Sequence, residues 1–250
     1  MSSNFPSQFW SAFRDWWRDQ SSDTTFASKT SLLFRKLWEF VRESTPEQRR
    51  QRYGDMEYDW ENRVNTTSGT VGWRERLLGL FHSPYQPTEP GLFHEMMANL
   101  PSELDQFTFV DLGSGKGRTL LLASQYPFRK IVGVELIEEL HCVAERNIRS
   151  YQSAEQRCRH IESVLADARA YEFPPEPTVL YLFNPLPERA LVEVLDRLEK
   201  SLAGFPRAIW IVYHNPLLES VLKSFNFLER AGGTRQYALY RNRRTLAQAK

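Results

Sequence analysis

Asp111-Leu112-Gly113-Ser114-Gly115-Lys116-Gly117-Arg118 lies between an apolar run, Phe107 to Leu112, and a helix-prone stretch opening at Arg118-Thr119-Leu120. Glycines at alternate positions let the backbone adopt positive φ and approach a ligand closely. In an open α/β sheet that ligand sits beyond the carboxyl ends of the strands, where the strand order reverses. A P-loop requires Gly at position 110 and Ser or Thr at 117, where this chain has Val110 and Gly117. A dinucleotide fingerprint puts its third glycine at 118, and an arginine there would crowd a pyrophosphate. The surviving pattern is Asp-x-Gly-x-Gly-x-Gly. An acid ahead of the first glycine repels a phosphate and suits the ammonium of an amino-acid-bearing cofactor.

Around this loop, strands alternate with helices from about residue 90. Phe107 to Leu112, Lys130 to Glu135, Ile161 to Leu165, Thr178 to Phe183 and Ala208 to Tyr213 are short β-prone runs. Arg118 to Gln125, Glu138 to Tyr151 and Pro187 to Leu202 have helix length. Phe225 to Arg230 and Gln236 to Arg241 close the pattern as two strands separated by Gly232-Gly233. The alternation predicts an α/β fold with a doubly wound, seven-stranded, mainly parallel sheet. The second strand ends in Glu135, 24 residues after Asp111, where a carboxylate can accept both hydroxyls of a ribose. Asp167 follows the third strand and can accept from an adenine amino group. Each acid taken alone also reads as an exposed strand-end carboxylate.

Residues 1–75 have a different character. Six of the seven tryptophans precede residue 75, and Phe9, Phe13 and Trp16 recur at helical spacing. A second helical stretch runs from Leu32 to Arg42, Ser44-Thr45-Pro46-Glu47 resembles a helix start, and Asn62 to Gly72 reads as a loop. The expected division is a helical, aromatic-rich cap over 1–75 and a cofactor-binding domain over 76–250. The cap either selects the substrate or simply packs. The net charge of +1 on 250 residues argues against a large basic face for duplex nucleic acid. No apolar run is long enough to span a bilayer and no secretory signal is visible, so the chain reads as soluble and cytoplasmic. Cys142 and Cys158 lack metal-ligand spacing and read as buried free thiols in helical segments. The five histidines lack it too, so no metal is expected.

The glycine loop, with Gly133-Val134-Glu135 on the next strand, resembles the class I, Rossmann-like S-adenosylmethionine-dependent methyltransferases over residues 84 to 241. Within that class the motif looks most like a bacterial group of uncharacterised enzymes. It is similar, more distantly, to protein lysine methyltransferases with an Asp-Leu-Gly-Ser-Gly core. The resemblance implies S-adenosylmethionine as cofactor. It places Asp111, Gly113, Ser114, Gly115 and Gly117 around the methionine moiety, Glu135 and Leu136 at the ribose, and Asp167 and Ala168 at the adenine. Tyr85-Gln86-Pro87-Thr88 looks like a segment that folds over the cofactor, with Tyr85 and Thr88 as contacts. Lys116 and Arg118 either meet the cofactor carboxylate or are solvated loop cations.

The fourth strand ends in Asn184-Pro185-Leu186-Pro187. Amino-group methyltransferases carry an [Asp/Asn]-Pro-Pro-[aromatic] turn at this point, so by that resemblance Asn184 orients the acceptor nitrogen and touches the cofactor; otherwise it is a turn residue that hydrogen-bonds locally before proline. Leu186 and Pro187 depart from that motif. Phe183, Phe205 or Tyr213 would then wall the pocket. His214, after the fifth strand, is either a base or a structural hydrogen-bonder, and the same choice holds for His82 and His94. Arg241-Asn242-Arg243-Arg244 reads as a short solvated tail. The expected activity is methyl transfer to a protein or small molecule, with nitrogen favoured as the acceptor atom. The alternatives are a non-catalytic S-adenosylmethionine-binding protein and, disfavoured by Arg118, a nicotinamide-dependent oxidoreductase.

Overall fold

A computed structural model of the chain describes residues 10, 13–14, 56–67, 87–183 and 186–243. The chain divides into two compact units, Met1–Pro87 and Thr88–Lys250. The predicted helix from Leu32 to Arg42 and the helix start at Ser44 lie outside the described residues. So does most of the first aromatic helix, of which Trp10 and Phe13 meet edge to face at 5.9 Å. In the first unit, α1 (Met56–Asn62) ends at Arg63, whose φ is 55°. The Asp59 carboxylate gathers the chain beyond it, accepting the Thr66 and Thr67 amides at 2.7 and 2.9 Å and the Thr66 hydroxyl.

The second unit opens with α2 (Pro90–Ala98), which the sequence reading passed over. Pro90 stands at its first turn, and the Glu89 side chain caps it by accepting from the Gly91 and Leu92 amides. The strands are β1 (Thr108–Leu112), β2 (Lys130–Glu135), β3 (Ile161–Leu165), β4 (Thr178–Phe183), β5 (Ile209–His214), β6 (Leu228–Gly233) and β7 (Tyr237–Asn242). Between them lie α3 (Arg118–Ala123), α4 (Glu138–Ser150), α5 (Glu188–Gly204) and the short α6 (Glu219–Ser224). They form one seven-stranded sheet of order β3-β2-β1-β4-β5-β7-β6. β1 to β5 pair in parallel, and β7 runs antiparallel between β5 and β6. This is the predicted doubly wound, mainly parallel sheet. β1 is buried along its whole length, as is β4 up to Phe183, because helices cover both faces, and their sequences are accordingly near-continuous apolar runs. Since β1 leads away to β2 and β4 lies on its other side, the strand order reverses between β1 and β4. The crevice at that reversal is where α/β sheets bind ligands.

Three local expectations are corrected. Gly232 and Gly233 do not separate the last two strands but belong to β6, where a register irregularity falls between Arg230 and Gly232. Gly233 has φ 112°, and a Cβ there would run into the Tyr237 carbonyl oxygen, so Gly233 serves close strand approach, while Gly232 has ordinary room; the turn is Thr234 to Gln236. Cys158 is not helical. It is buried in the segment before β3, where its amide donates to Ser124 O at 2.9 Å, and Cys142 on α4 is only half-buried. The basic run from Arg241 is not a solvated tail over its described part. Arg241 pairs with Glu229 at 2.7 Å, and Asn242 bonds the Ile209 amide and Arg207 carbonyl at 2.8 Å each. Among the described residues no helix is long and apolar enough to cross a membrane.

Gly133, in the middle of β2, has no room for a side chain: a Cβ would lie 2.6 Å from Ser114 Oγ and from Leu120 Cδ1, and 2.8 Å from Ser114 Cβ. Gly133→Ala should therefore cost about 1–3 kcal/mol of stability by overpacking. Denaturant unfolding measures this, and Ser114→Gly in the same chain should recover part of the loss through non-additivity.

Candidate functional site

β1 carries Asp111 to the reversal point, and the loop after it turns on Gly113, Gly115 and Gly117, whose φ angles are 81°, 54° and 83°. A side chain at any of these angles would be strained, which accounts for the three glycines. The loop is fastened to its neighbours by several bonds. The Gly113 and Ser114 amides donate to Val134 O at 2.8 and 3.1 Å. The Gly115 amide donates to Glu135 Oε2 at 2.8 Å, while Ile137 N–H donates to Glu135 Oε1 at 2.8 Å. From α4, Asn147 Nδ2 donates to Lys116 O at 2.8 Å. Asn147 gave no signal in the sequence, since an Asn inside a helix pattern has no local partner to betray its role.

Asp111 and Glu135 are not the exposed strand-end carboxylates of the alternative reading: they are 2% and 5% exposed. Burial, reinforced by the Glu135 charge, pushes the Asp111 carboxyl well above the ordinary carboxylate range, against a hydrogen bond from Thr119. Burial also raises Glu135, against the amides of Ile137, Gly115 and Leu136 that bond its ionised form. Two buried acids side by side make a pocket that favours a cation. Lys116 and Arg118 are not solvated loop cations. Both are buried, and each has polar or electrostatic contacts within the fold.

Asp167 differs from the other two. It is half-exposed, caps the 3-10 turn Ala168–Ala170 by accepting the Arg169 amide, and forms a two-pronged ion pair with the Arg169 guanidinium at 2.6–3.1 Å. Leu136 and Leu165, 41% and 47% exposed, present apolar surface at the ends of β2 and β3, and Ala168 is buried beyond them. Tyr85, Asn184, Pro185 and His82 lie outside the described residues.

On the other side of Asp111 the structure assembles a polar line that only partly figured among the candidates. Thr88 Oγ1 lies 3.2 Å from Thr119 Oγ1 and 3.0 Å from Tyr181 Oη, and Tyr181 Oη lies 2.8 Å from His214 Nδ1. His214 stacks on Phe183 with ring centroids 3.8 Å apart and planes 19° apart. Burial lowers its pKa to about 4, so the ring is neutral near pH 7. Of the proposed pocket walls, Phe183 is half-buried beside His214. Tyr213 is instead a core residue whose hydroxyl accepts the Leu218 amide. Phe205 follows the C-terminus of α5, which runs back from the carboxyl ends of the strands, so it belongs to the opposite rim of the sheet. His94, on α2, bonds Tyr126 Oη at 2.8 Å and is structural. Among the described residues no three His, Cys, Asp or Glu side chains are gathered as a metal would require. A surface groove lined by Arg169, Glu172, Arg197 and Phe205 follows the C-terminal half of α5, away from the reversal point.

No family model and no curated protein matches the chain. Several solved structures are similar to part of it. The 23S rRNA methyltransferase ErmE is 15% identical over 64% of this chain and 70% of its own, with a TM-score of 0.44. An RNA methyltransferase from Salinibacter ruber, in complex with S-adenosyl-L-homocysteine, is 16% identical over 62% of this chain and 92% of its own, with a TM-score of 0.40. A dimethyladenosine transferase from Plasmodium falciparum is 10% identical over 62% of each chain, with a TM-score of 0.44. At such identities, what the crevice can bind is decided by its own residues.

The buried acid at Asp111 has a consequence for stability. The folded chain holds this proton more tightly than the unfolded chain does, so the stabilisation is present at low pH and is lost as pH rises through the raised folded value. Asp111→Asn removes the buried charge while keeping an oxygen for Thr119. It should stabilise the unliganded protein by about 1–2 kcal/mol at pH 8, with the advantage shrinking towards pH 5. Thermal unfolding across that range measures it, and an advantage that grows on acidification would show that Asp111 is ionised without cost.

Proposed function

We propose that this chain is an S-adenosylmethionine-dependent methyltransferase. The observation that carries the reading is the pair of buried acids, Asp111 and Glu135, around a loop of three left-handed glycines at the sheet's reversal point. Phosphate binders place amides and cations at such a loop, whereas two carboxylates there favour a ligand with positive charge and hydroxyl donors. The cofactor would supply a methyl group on a sulfonium together with an ammonium, a ribose and an adenine.

In this reading Asp111 accepts from the ammonium, and the backbone of Gly113, Ser114, Gly115 and Gly117 lines the methionine moiety. The Glu135 carboxylate accepts the amides of Gly115 and Ile137 at 2.8 Å each, and with about four lone-pair directions it keeps acceptor capacity for a ribose hydroxyl. Leu136 flanks the nucleoside, Asp167 and Ala168 lie towards the adenine, and Arg118 and Lys116 lie towards the carboxylate. Tyr85 and Thr88 cover the cofactor from the segment before α2. Asn184, the residue after Phe183, orients the acceptor, a nitrogen of a protein or small molecule. Methyl transfer is an in-line displacement, so the protein contributes mainly position and exclusion of water.

Calorimetry tests the cofactor. S-adenosylmethionine and S-adenosylhomocysteine should bind and the nicotinamide dinucleotides should not, and a ligand at a hundred times its Kd should stabilise the fold by about 2.7 kcal/mol. Glu135→Ala should lose about 1.5–3 kcal/mol of that affinity, and Gly115→Val should abolish binding, because a β-branched residue resists φ 54°. Binding of a nicotinamide dinucleotide alone would overturn the reading.

Turnover is tested by incubating extract proteins and metabolites with methyl-labelled cofactor and finding the labelled product by mass spectrometry. On that acceptor Asn184→Ala should lower turnover by roughly 10²–10³ while leaving cofactor affinity within a few-fold. Equal loss of binding and turnover would make Asn184 a cofactor contact instead.

A further inference from the structure

Three hydroxyls join a carboxylate to an imidazole across β1, β4 and β5. The Asp111 carboxyl meets Thr119, Thr119 meets Thr88, Thr88 meets Tyr181, and Tyr181 meets His214 Nδ1, the last three contacts at 3.2, 3.0 and 2.8 Å. All of these side chains are buried. A hydroxyl has one proton to donate, and an ionised carboxylate only accepts. If Asp111 is ionised, Thr119 must turn its proton to Asp111 and can only accept from Thr88. Thr88 then accepts from Tyr181, and Tyr181, its proton used, accepts from His214. The direction of the whole line follows, and Nδ1 must carry the imidazole proton. Nε2 is then a bare lone pair, and it makes no hydrogen bond with any described residue. A protonated Asp111 permits the reverse direction, with the proton on Nε2.

We propose that Thr119, Thr88 and Tyr181 are positioning residues through which an ionised Asp111 fixes the tautomer of His214, so that Nε2 accepts a hydrogen bond from the N–H or O–H group to be methylated. The assignment of that partner rests on the methyltransferase reading; the coupling itself does not. His214 lies opposite Phe183 in the β4–β5 register, at the carboxyl ends beside the reversal point. The ring stack on Phe183 holds the imidazole plane, and the low basicity of the buried ring keeps it neutral and able to accept. A cation beside Asp111 favours its ionised form, so a site holding its cationic ligand and a site prepared to receive an acceptor are the same state of the line.

The test uses the full chain labelled with 15N-histidine at pH 8, with and without S-adenosylhomocysteine. Two-bond proton–nitrogen spectra distinguish the two tautomers, and the His214 signals are assigned by their loss in His214→Asn. The ligand-bound wild type should be predominantly protonated on Nδ1. Thr119→Val, three contacts from the imidazole, should convert it to predominantly Nε2-protonated, because the Thr88 and Tyr181 protons then turn towards His214. Thr119→Ser should restore the wild-type spectrum, and Thr88→Val serves in the same way should Thr119→Val not fold. A purely structural role for Thr119 would not move the tautomer of a ring so far from it. A ligand-bound wild type protonated on Nε2, or a tautomer indifferent to both valine variants, overturns the proposal. Calorimetry on the wild type is a separate arm: no binding of S-adenosylhomocysteine overturns the cofactor reading, and the tautomer of the free protein, with its response to the valines, then decides the relay alone.

Discussion

The Glu135 carboxylate, bonded to the amides of Gly115 and Ile137 at 2.8 Å each, is the tie on which the crevice depends. The chain reverses twice here, once after β1 and once after β2, and each reversal leaves amides that cannot join a strand ladder. A buried amide without an acceptor costs about 1–3 kcal/mol, and one carboxylate satisfies both turns. Ser114 tucks against Gly133 because β2 has no Cβ there, and Asn147 reaches from α4 to hold the Lys116 carbonyl. The loop is therefore a rigid turn clamped from β2 and α4, with its geometry set before any ligand arrives.

That clamp carries a charge, and the charge creates the site's preference. Glu135 is tolerated in the interior because amides bond its ionised form, but Asp111 has less support and is pushed up by burial and by Glu135 itself. Glu135 fastens the turns, but the fold gains nothing in stability from setting a second buried acid, Asp111, beside it, since such groups are costly unless paired. Their presence at the reversal point of the sheet makes sense as a feature of binding. A cationic group in the crevice would relieve the repulsion and be held by it, whereas a phosphate would add to it.

The sheet was legible in the sequence because its signals are local. β2, β3 and β4 start and end where the β-prone runs do, and the loop glycines carry the positive φ angles that their spacing implied. Misreadings arose where a residue's role depends on something distant in the chain. Gly232 and Gly233 look like a turn but belong to β6, where Gly233 admits the close passage of β7. Arg241 and Asn242 look like a tail but end β7, where Arg241 pairs with Glu229 of β6 and Asn242 bonds Arg207 and Ile209 at the start of β5. α2 was missed although Glu89-Pro90 is a recognisable helix start, because its apolar residues, Phe93, Met96 and Met97, sit in a short stretch of weak periodicity. For the site, Asp111 and Glu135 could be picked out from spacing alone. Asn147, Thr119 and Tyr181 could not, since Lys116, Thr88 and His214, which they meet, lie 31 or more residues away, and a threonine or tyrosine in an apolar run looks like packing.

Tyr181 shows why that polar line must exist at all. It lies in β4, a central strand flanked by β1 and β5, and its ring packs among Phe93 and Phe109. A tyrosine there buries a hydroxyl, and a buried hydroxyl needs partners. With both faces of the sheet covered, backbone groups are already used in the ladders, so the partners have to be side chains. His214 meets it from β5, and Thr88, immediately before the Glu89 cap of α2, meets it from the start of the unit. The hydroxyl of a core residue thus connects the chain's entry into α2, the acid at the end of β1 and the imidazole at the end of β5. Replacing Tyr181 by Phe would leave the packing nearly whole and remove the hydroxyl that joins Thr88 to His214.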